Sequence, residues 1–475
     1  MRLSRLFIPT LLILIPAIAQ DLPEVAKLLR EVIRIDTSNP PGNEDKIAQF
    51  LAPRFKAAGF EVDIVPTPVA GKTHFIARLR GDGSKKPVLL AAHADVVGVE
   101  RDKWTVDPFA GVVKDGAVWG RGAIDFKGGL AVFAQAVLEI ARSKTKLSRD
   151  IIFLSEADEE GGLYPTRFLA EKHWDKIDCE FALNEGGWII KDDAGKVLYV
   201  SISTNDKGSM ALTLTARGTS THSSMPRPDN AIYTLARALT KLSEFEFKPK
   251  LTESNKQFFS ALAETSKEPL KTHFRNLVEN KDPALVAAAD KAIGENVLLK
   301  AIMRNTIAPV MMNAGFRGNV IPGSAEATIN FRVIPGTTEE ELIEELRKVI
   351  QDPRVDIGTS NFTPSRAPMS PDMRRQWMLR ARGYADSPAS GELYQAIVKH
   401  AQATYPTAIV TPYLFQAGTD AYAWRSKGIP VYGIYPYPIT AQDLTRMHGN
   451  DERVPVDSLV TGVQLIKNLL LDVAK

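Results

Sequence analysis

Residues 150–162, DIIFLSEADEEGG, run an unbroken apolar segment straight into four acids, Glu156, Asp158, Glu159 and Glu160. Apolar residues without alternation are what a strand covered on both faces requires. Like charges this close repel unless water, a cation or a proton separates them. The stretch therefore predicts a buried strand of an α/β layer, ending where positive charge is expected.

The same texture extends on both sides. From about residue 23 to 205, amphipathic helical patterns (LPEVAKLLREVIRI, KIAQFLAPRFKAAG, GLAVFAQAVLEIARS) alternate with short apolar runs (PVLLAAH, EFALNEGG). That alternation predicts α/β architecture with a mostly parallel sheet, whose ligands bind beyond the carboxyl ends of the strands. Near Asn205 the pattern changes to strand, helix, two strands, helix, strand, the order of a ferredoxin-like α+β unit. The expected division is a catalytic domain at 20–205 and 363–475 with a lid or dimerisation domain at 206–362 inserted into it. A polar helical stretch at about 244–304 reads as an insertion within the lid. The segment PDMRRQWMLRARGYADSP, 371–388, reads as a solvated loop.

The N-terminus is different. A basic MRLSR, an apolar LFIPTLLILIPAIA and the small-residue site Ala17-Ile18-Ala19 read as a cleavable signal peptide over 1–19. The run is shorter than the ~20 residues of a spanning helix, so no stable membrane anchor is expected and the mature chain reads as secreted or periplasmic. A single cysteine, Cys179, excludes an internal disulfide. With 59 Lys+Arg against 56 Asp+Glu, the formal charge of +3 gives no strong pull toward nucleic acid or anionic membrane.

Strand after strand ends in a residue able to bind metal. LLAAHAD carries His93 and Asp95, GRGAIDFKGG carries Asp125, SEADEE carries Glu159 and Glu160, LNEGG carries Glu185, and RMHGNDE carries His448. Two imidazoles with the carboxylates of Asp125, Glu160 and Glu185 suit a pair of divalent ions, Zn2+ first and Mn2+ or Co2+ as alternatives. One aspartate can bridge two ions about 3.5–4 Å apart. A histidine or acidic pair taken alone is more often structural or solvated, and Asp158 and Glu156 fit that ordinary case.

Together with GTSTHSSMPRPDNAI, NVIPGSAEATINFRVIPG and GTDAYAWRSKGIPVYG, these motifs resemble, in order and over nearly the whole mature chain, the di-zinc aminoacylase and carboxypeptidase family, and most closely its carboxypeptidase S branch. The resemblance implies that His93 and Glu185 hold one metal, Glu160 and His448 the other, and Asp125 bridges them. It implies Asp95 behind His93, Glu159 as general base, and a cis peptide bond after Asp125, here to Phe126. His222 would stabilise the oxyanion, supplied by a partner subunit in dimeric members, which makes a homodimer through the lid an expectation. Arg332 and Asn319 match positions that grip the substrate carboxylate, and Gly418 and Thr419 a further substrate contact. The implied activity is cleavage of an amide next to a free carboxylate, in a peptide or an N-acyl amino acid. The competing reading is a catalytically inactive small-molecule or metal-binding protein on the same fold. Glu159 separates the two, since a mere metal holder has no use for it.

Overall fold

The computed structural model describes residues 21–162, 164–359 and 383–475. Residues 1–19, read above as a signal peptide, and most of the arginine-rich segment lie outside the described residues. Among those described, no helix is long and apolar enough to cross a membrane.

The large unit is a mixed ten-stranded sheet whose central strands run parallel. Val88–His93 lies between Ile151–Glu156 and Phe181–Asn184, parallel to both, and Val431–Gly433 continues the parallel set beside Phe181–Asn184. Every residue of Val88–His93 and Ile151–Glu156 is buried. Leu90, Ala92 and Phe153 join the core beneath the helices Lys127–Ser143 and Val456–Ala474, while Leu89, Ala91, Ile152 and Leu154 join a second core with Leu169 and Trp424. Alternate side chains thus meet apolar partners on opposite faces, which is why these runs carry no polar alternation.

The smaller sheet is antiparallel, in the spatial order Thr306–Ala314, Ser324–Val333, Gly208–Arg217, Val355–Thr359. Helices Ala231–Ser243 and Glu339–Ile350 bury their apolar stripes on one face of it. The second helix begins at a capping box: the Thr338 hydroxyl accepts from the Glu341 amide, and the Glu341 carboxylate accepts from the Thr338 amide. This is the ferredoxin-like order read from the sequence.

The helices from Glu253 to Met303 interrupt the lid in sequence but pack elsewhere. Phe258, Phe259, Leu262 and Phe274 enter the core of the large sheet, with the Phe258 ring edge-on to Tyr413 at 5.2 Å. Their apolar faces find partners on strand Ile409–Phe415 rather than on the lid sheet, whose inner face its own two helices already cover.

Candidate metal centre

Each ligand-type side chain arrives at the end of a secondary-structure element. His93 closes its strand, Glu185 follows Phe181–Asn184, and Asp125 precedes helix Lys127–Ser143 across a cis peptide bond to Phe126. Glu159 and Glu160 sit in the turn after Ile151–Glu156, and His448 adopts φ 60° in the loop before Arg453–Pro455.

The distances sort these residues into two sets. His93 Nε2 is 3.1 Å from Asp125 Oδ1 and 3.7 Å from Glu185 Oε2. His448 Nε2 is 3.0 Å from Asp125 Oδ2 and 2.9 Å from Glu160 Oε1. Within His93–Asp125–Glu185, and again within Asp125–Glu160–His448, the candidate ligand atoms lie within 4.8 Å of one another. Asp125 belongs to both sets through different oxygens, the arrangement that lets one carboxylate serve two ions. A third grouping, His93 with Glu159 and Glu160, competes with the first two for His93 and Glu160. The nitrogen and oxygen donors fit a pair of divalent ions such as zinc, manganese or cobalt.

The electrostatics show what such ions would offset. Burial pushes the Glu159 carboxyl well above its usual range, and Glu185 and Glu160 add to the effect. Burial and Asp125 push Glu185 up to about 7. Burial opposes a charge on His448, but Asp125 and Glu160 outweigh it and raise its pKa to about 11. Without added positive charge, the cluster relaxes by holding protons, on Glu159 and Glu185 and on the imidazoles of His93 and His448, which keep Asp125 well below the usual carboxylate range.

Around the two sets lies a supporting layer of hydrogen bonds. The Asp95 main-chain carbonyl accepts a hydrogen bond from His93 Nδ1 at 2.9 Å. The Asp95 carboxylate accepts from the amides of Glu159 at 3.1 Å and Glu160 at 3.0 Å, and from Asn39 Nδ2 at 2.8 Å, so it holds the turn that carries both glutamates. Asp158 and Glu156 are not solvated: both are buried, and Asp158 pairs with Lys72. The buried Glu452 carboxylate accepts from Arg121 Nη1 and from the amides of Gly122, Ile124 and Asp125, at 2.7–3.1 Å. Arg121 in turn donates to the carbonyls of His448 and Gly449, joining the Asp125 turn to the His448 loop. Arg121 and Glu452 lay inside quoted motifs; Asn39 and Lys72 had no spacing signal.

A cavity of about 220 Å³ opens above the two sets. Asp125, Glu159, Glu160, Glu185 and His448 form its floor, and Arg332, Gly418 and Thr419 reach it from the other side. Among the described residues, no hydrogen bond or ion pair engages the Arg332 guanidinium; a Cβ built on Gly418 would stand 3.8 Å from its Nη1. The Thr419 hydroxyl is committed to Asp206 Oδ2 at 2.6 Å. His222 and Asn319 do not line this cavity. Both are exposed at the tip of the lid, where the Asn319 carbonyl accepts from the Ser223 amide at 3.0 Å.

Comparison with known proteins supplies the remaining observations. The model of Peptidase family M20/M25/M40 matches residues 89–472. A probable carboxypeptidase S-like protein of Dictyostelium discoideum is 31% identical over 401 residues, covering 83% of this chain and 73% of that protein. The Homo sapiens N-fatty-acyl-amino acid synthase/hydrolase PM20D1 is 30% identical, covering 84% and 76%. Among solved structures, an M20 family metallo-carboxypeptidase from Sulfolobus solfataricus superposes with a TM-score of 0.67 at 17% identity, covering 94% of this chain and 99% of that one, a likeness of fold.

Proposed function

The chain belongs to peptidase family M20/M25/M40, and from that premise we propose a metal-dependent hydrolase that cleaves an amide beside a free carboxylate, by way of a two-ion centre at His93, Asp125, Glu160, Glu185 and His448. The observation that carries the reading is Asp125, whose two oxygens serve two separate ligand sets while Glu159 stands beside them.

Divalent ions held there would polarise the amide carbonyl and lower the pKa of a water toward ~7. Glu159 would take a proton from the attacking water and hand it to the leaving nitrogen, the two halves of general acid-base work. Asp95 keeps the Glu159 turn in place through the two amides it accepts. The Arg332 guanidinium, which lines the cavity, binds the substrate carboxylate, a task its planar fork suits, with Gly418 leaving room beside it. Phe415, Tyr422 and Met447 give the cavity an apolar wall, which favours apolar side chains or acyl groups. The similarity to an N-fatty-acyl-amino acid synthase/hydrolase supports N-acyl amino acids alongside peptides as substrates.

His222 and Asn319 enter this scheme from a second copy. They sit together on the lid tip, away from their own cavity, and the lid's edge strand Thr306–Ala314 presents the exposed Val310 and Met312. A homodimer through that edge would bring each tip toward the other subunit's centre. The N-terminal pattern supports export of the mature chain past the cytoplasmic membrane.

The test is turnover of dipeptides and N-acyl amino acids by chelator-stripped protein after addition of Zn2+, Mn2+ or Co2+. Glu159→Gln should lower kcat roughly 10²–10⁴-fold while two metal equivalents still bind. Loss of metal uptake in that variant, or an unchanged kcat, would remove Glu159 from the role.

A further inference from the structure

Tyr435, in the run IPVYGIYPYP, is 1% exposed, and its ring is fixed from two sides. It stacks on Trp188 with centroids 4.1 Å apart and meets Phe126 edge-on at 5.0 Å. So held, its hydroxyl oxygen lies 2.8 Å from Glu185 Oε2 and 3.1 Å from Asp125 Oδ1. These are the same two oxygens that His93 Nε2 faces. A phenol has one proton to donate, and the shorter contact gives it to Glu185. Among the described residues, that is the only hydrogen bond within 3.5 Å to the Glu185 carboxylate. The other set has no such group: among the described residues, the Glu160 carboxylate accepts only from His448.

We propose that Tyr435 is a positioning residue private to one of the two ion sites, the one formed by His93, Asp125 and Glu185. Its hydroxyl fixes the orientation of Glu185 on the His93 side, and so makes that site the tighter of the two. A carboxylate already turned toward the ion loses less rotamer freedom on binding, and a hydrogen-bonded ligand holds its geometry. Without the hydroxyl, no described residue donates a hydrogen bond within 3.5 Å to Glu185 Oε2, His93 Nε2 standing at 3.7 Å, and the carboxylate is freer to turn away. This inference rests on the two-ion reading above.

Tyr435→Phe removes only the oxygen and keeps the ring between Trp188 and Phe126. Two backgrounds resolve the sites: His448→Ala leaves the His93 site, and His93→Ala leaves the His448 site. Equilibrium Zn2+ titration of the purified mature chain, by calorimetry or chelator competition, then gives one affinity per protein. Tyr435→Phe should weaken the ion in the His448→Ala background roughly 10–100-fold, the usual effect of losing a partner behind a metal ligand. In the His93→Ala background it should change the affinity less than about 3-fold, and that retained ion also shows that the fold survives. Equal weakening in both backgrounds, or none in either, would overturn the proposal. Wild-type protein that takes up fewer than two ions would instead defeat the two-ion reading, and the inference with it.

Discussion

His74 offers a test of how the turn that carries Glu159 and Glu160 is held. Its ring is fully buried, accepting the Ala157 amide at Nδ1 at 3.1 Å, with Nε2 3.1 Å from the Tyr164 carbonyl. Those partners bracket the turn that contains Glu159 and Glu160. Only the neutral ring with its proton on Nε2 satisfies both; a second proton on Nδ1 would face the Ala157 N–H. Burial accordingly pushes the pKa from 6.5 down to about 4. The unfolded chain takes up a proton below pH 6.5 and the folded chain does not until about 4, so stability is present above 6.5 and is lost as the pH falls toward 4. With ~1.36 kcal/mol per factor of ten in proton affinity, the full loss is about 3 kcal/mol, of which about 2 falls between pH 7 and pH 5. His74→Asn keeps an acceptor for the Ala157 amide and cannot be protonated. Urea denaturation of chelator-treated protein at pH 7 and pH 5 should show wild type losing about 2 kcal/mol more than the variant over that interval. Equal losses in the two proteins would refute the account, whatever their absolute stabilities.

Two further outcomes bear on the substrate and the subunit. Arg332→Met, which keeps the length of the side chain and removes the charge, should lower kcat/KM roughly 10–100-fold, the worth of ~1.5–3 kcal/mol of charge-assisted hydrogen bonding, and mainly through KM; an unchanged KM for a carboxylate substrate would place that contact elsewhere. If each cavity borrows His222 from a second copy, inactive His222→Ala and Glu159→Gln proteins should regain roughly a quarter of wild-type activity when unfolded, mixed and refolded together, because only half the random dimers are mixed and each mixed dimer holds one intact site. Mixing without recovery would confine each site to a single chain.

What the sequence revealed and what it concealed have one physical cause. The strands were legible because Val88–His93 and Ile151–Glu156 are covered on both faces, and coverage leaves a local mark, an apolar run that stops at the site. The acids after that run were legible as a group and not individually. Asp158 and Glu159 are neighbours of the same sign, yet Asp158 is buried against Lys72, which is 86 residues away, whereas Glu159 faces the cavity. No local pattern encodes a partner that distant. The same holds for Glu452, whose contacts on the Asp125 turn span more than 300 residues, and for the helices Glu253–Met303, whose partners lie on a strand beyond residue 400. Gly161 and Gly162, directly after the acids, are a local turn signal. Gly162 does adopt φ 70°, and a Cβ on Gly161 would stand 2.2 Å from Asp158 Oδ1, but Asp158 also turns the chain, at φ 65°. Aspartate tolerates that left-handed conformation better than most residues. Here its carboxylate also accepts from the Tyr164 amide at 2.5 Å and from Asn39 at 2.8 Å. The residue that looked like a spare surface acid is therefore the one that bends the backbone where Glu159 and Glu160 leave the strand.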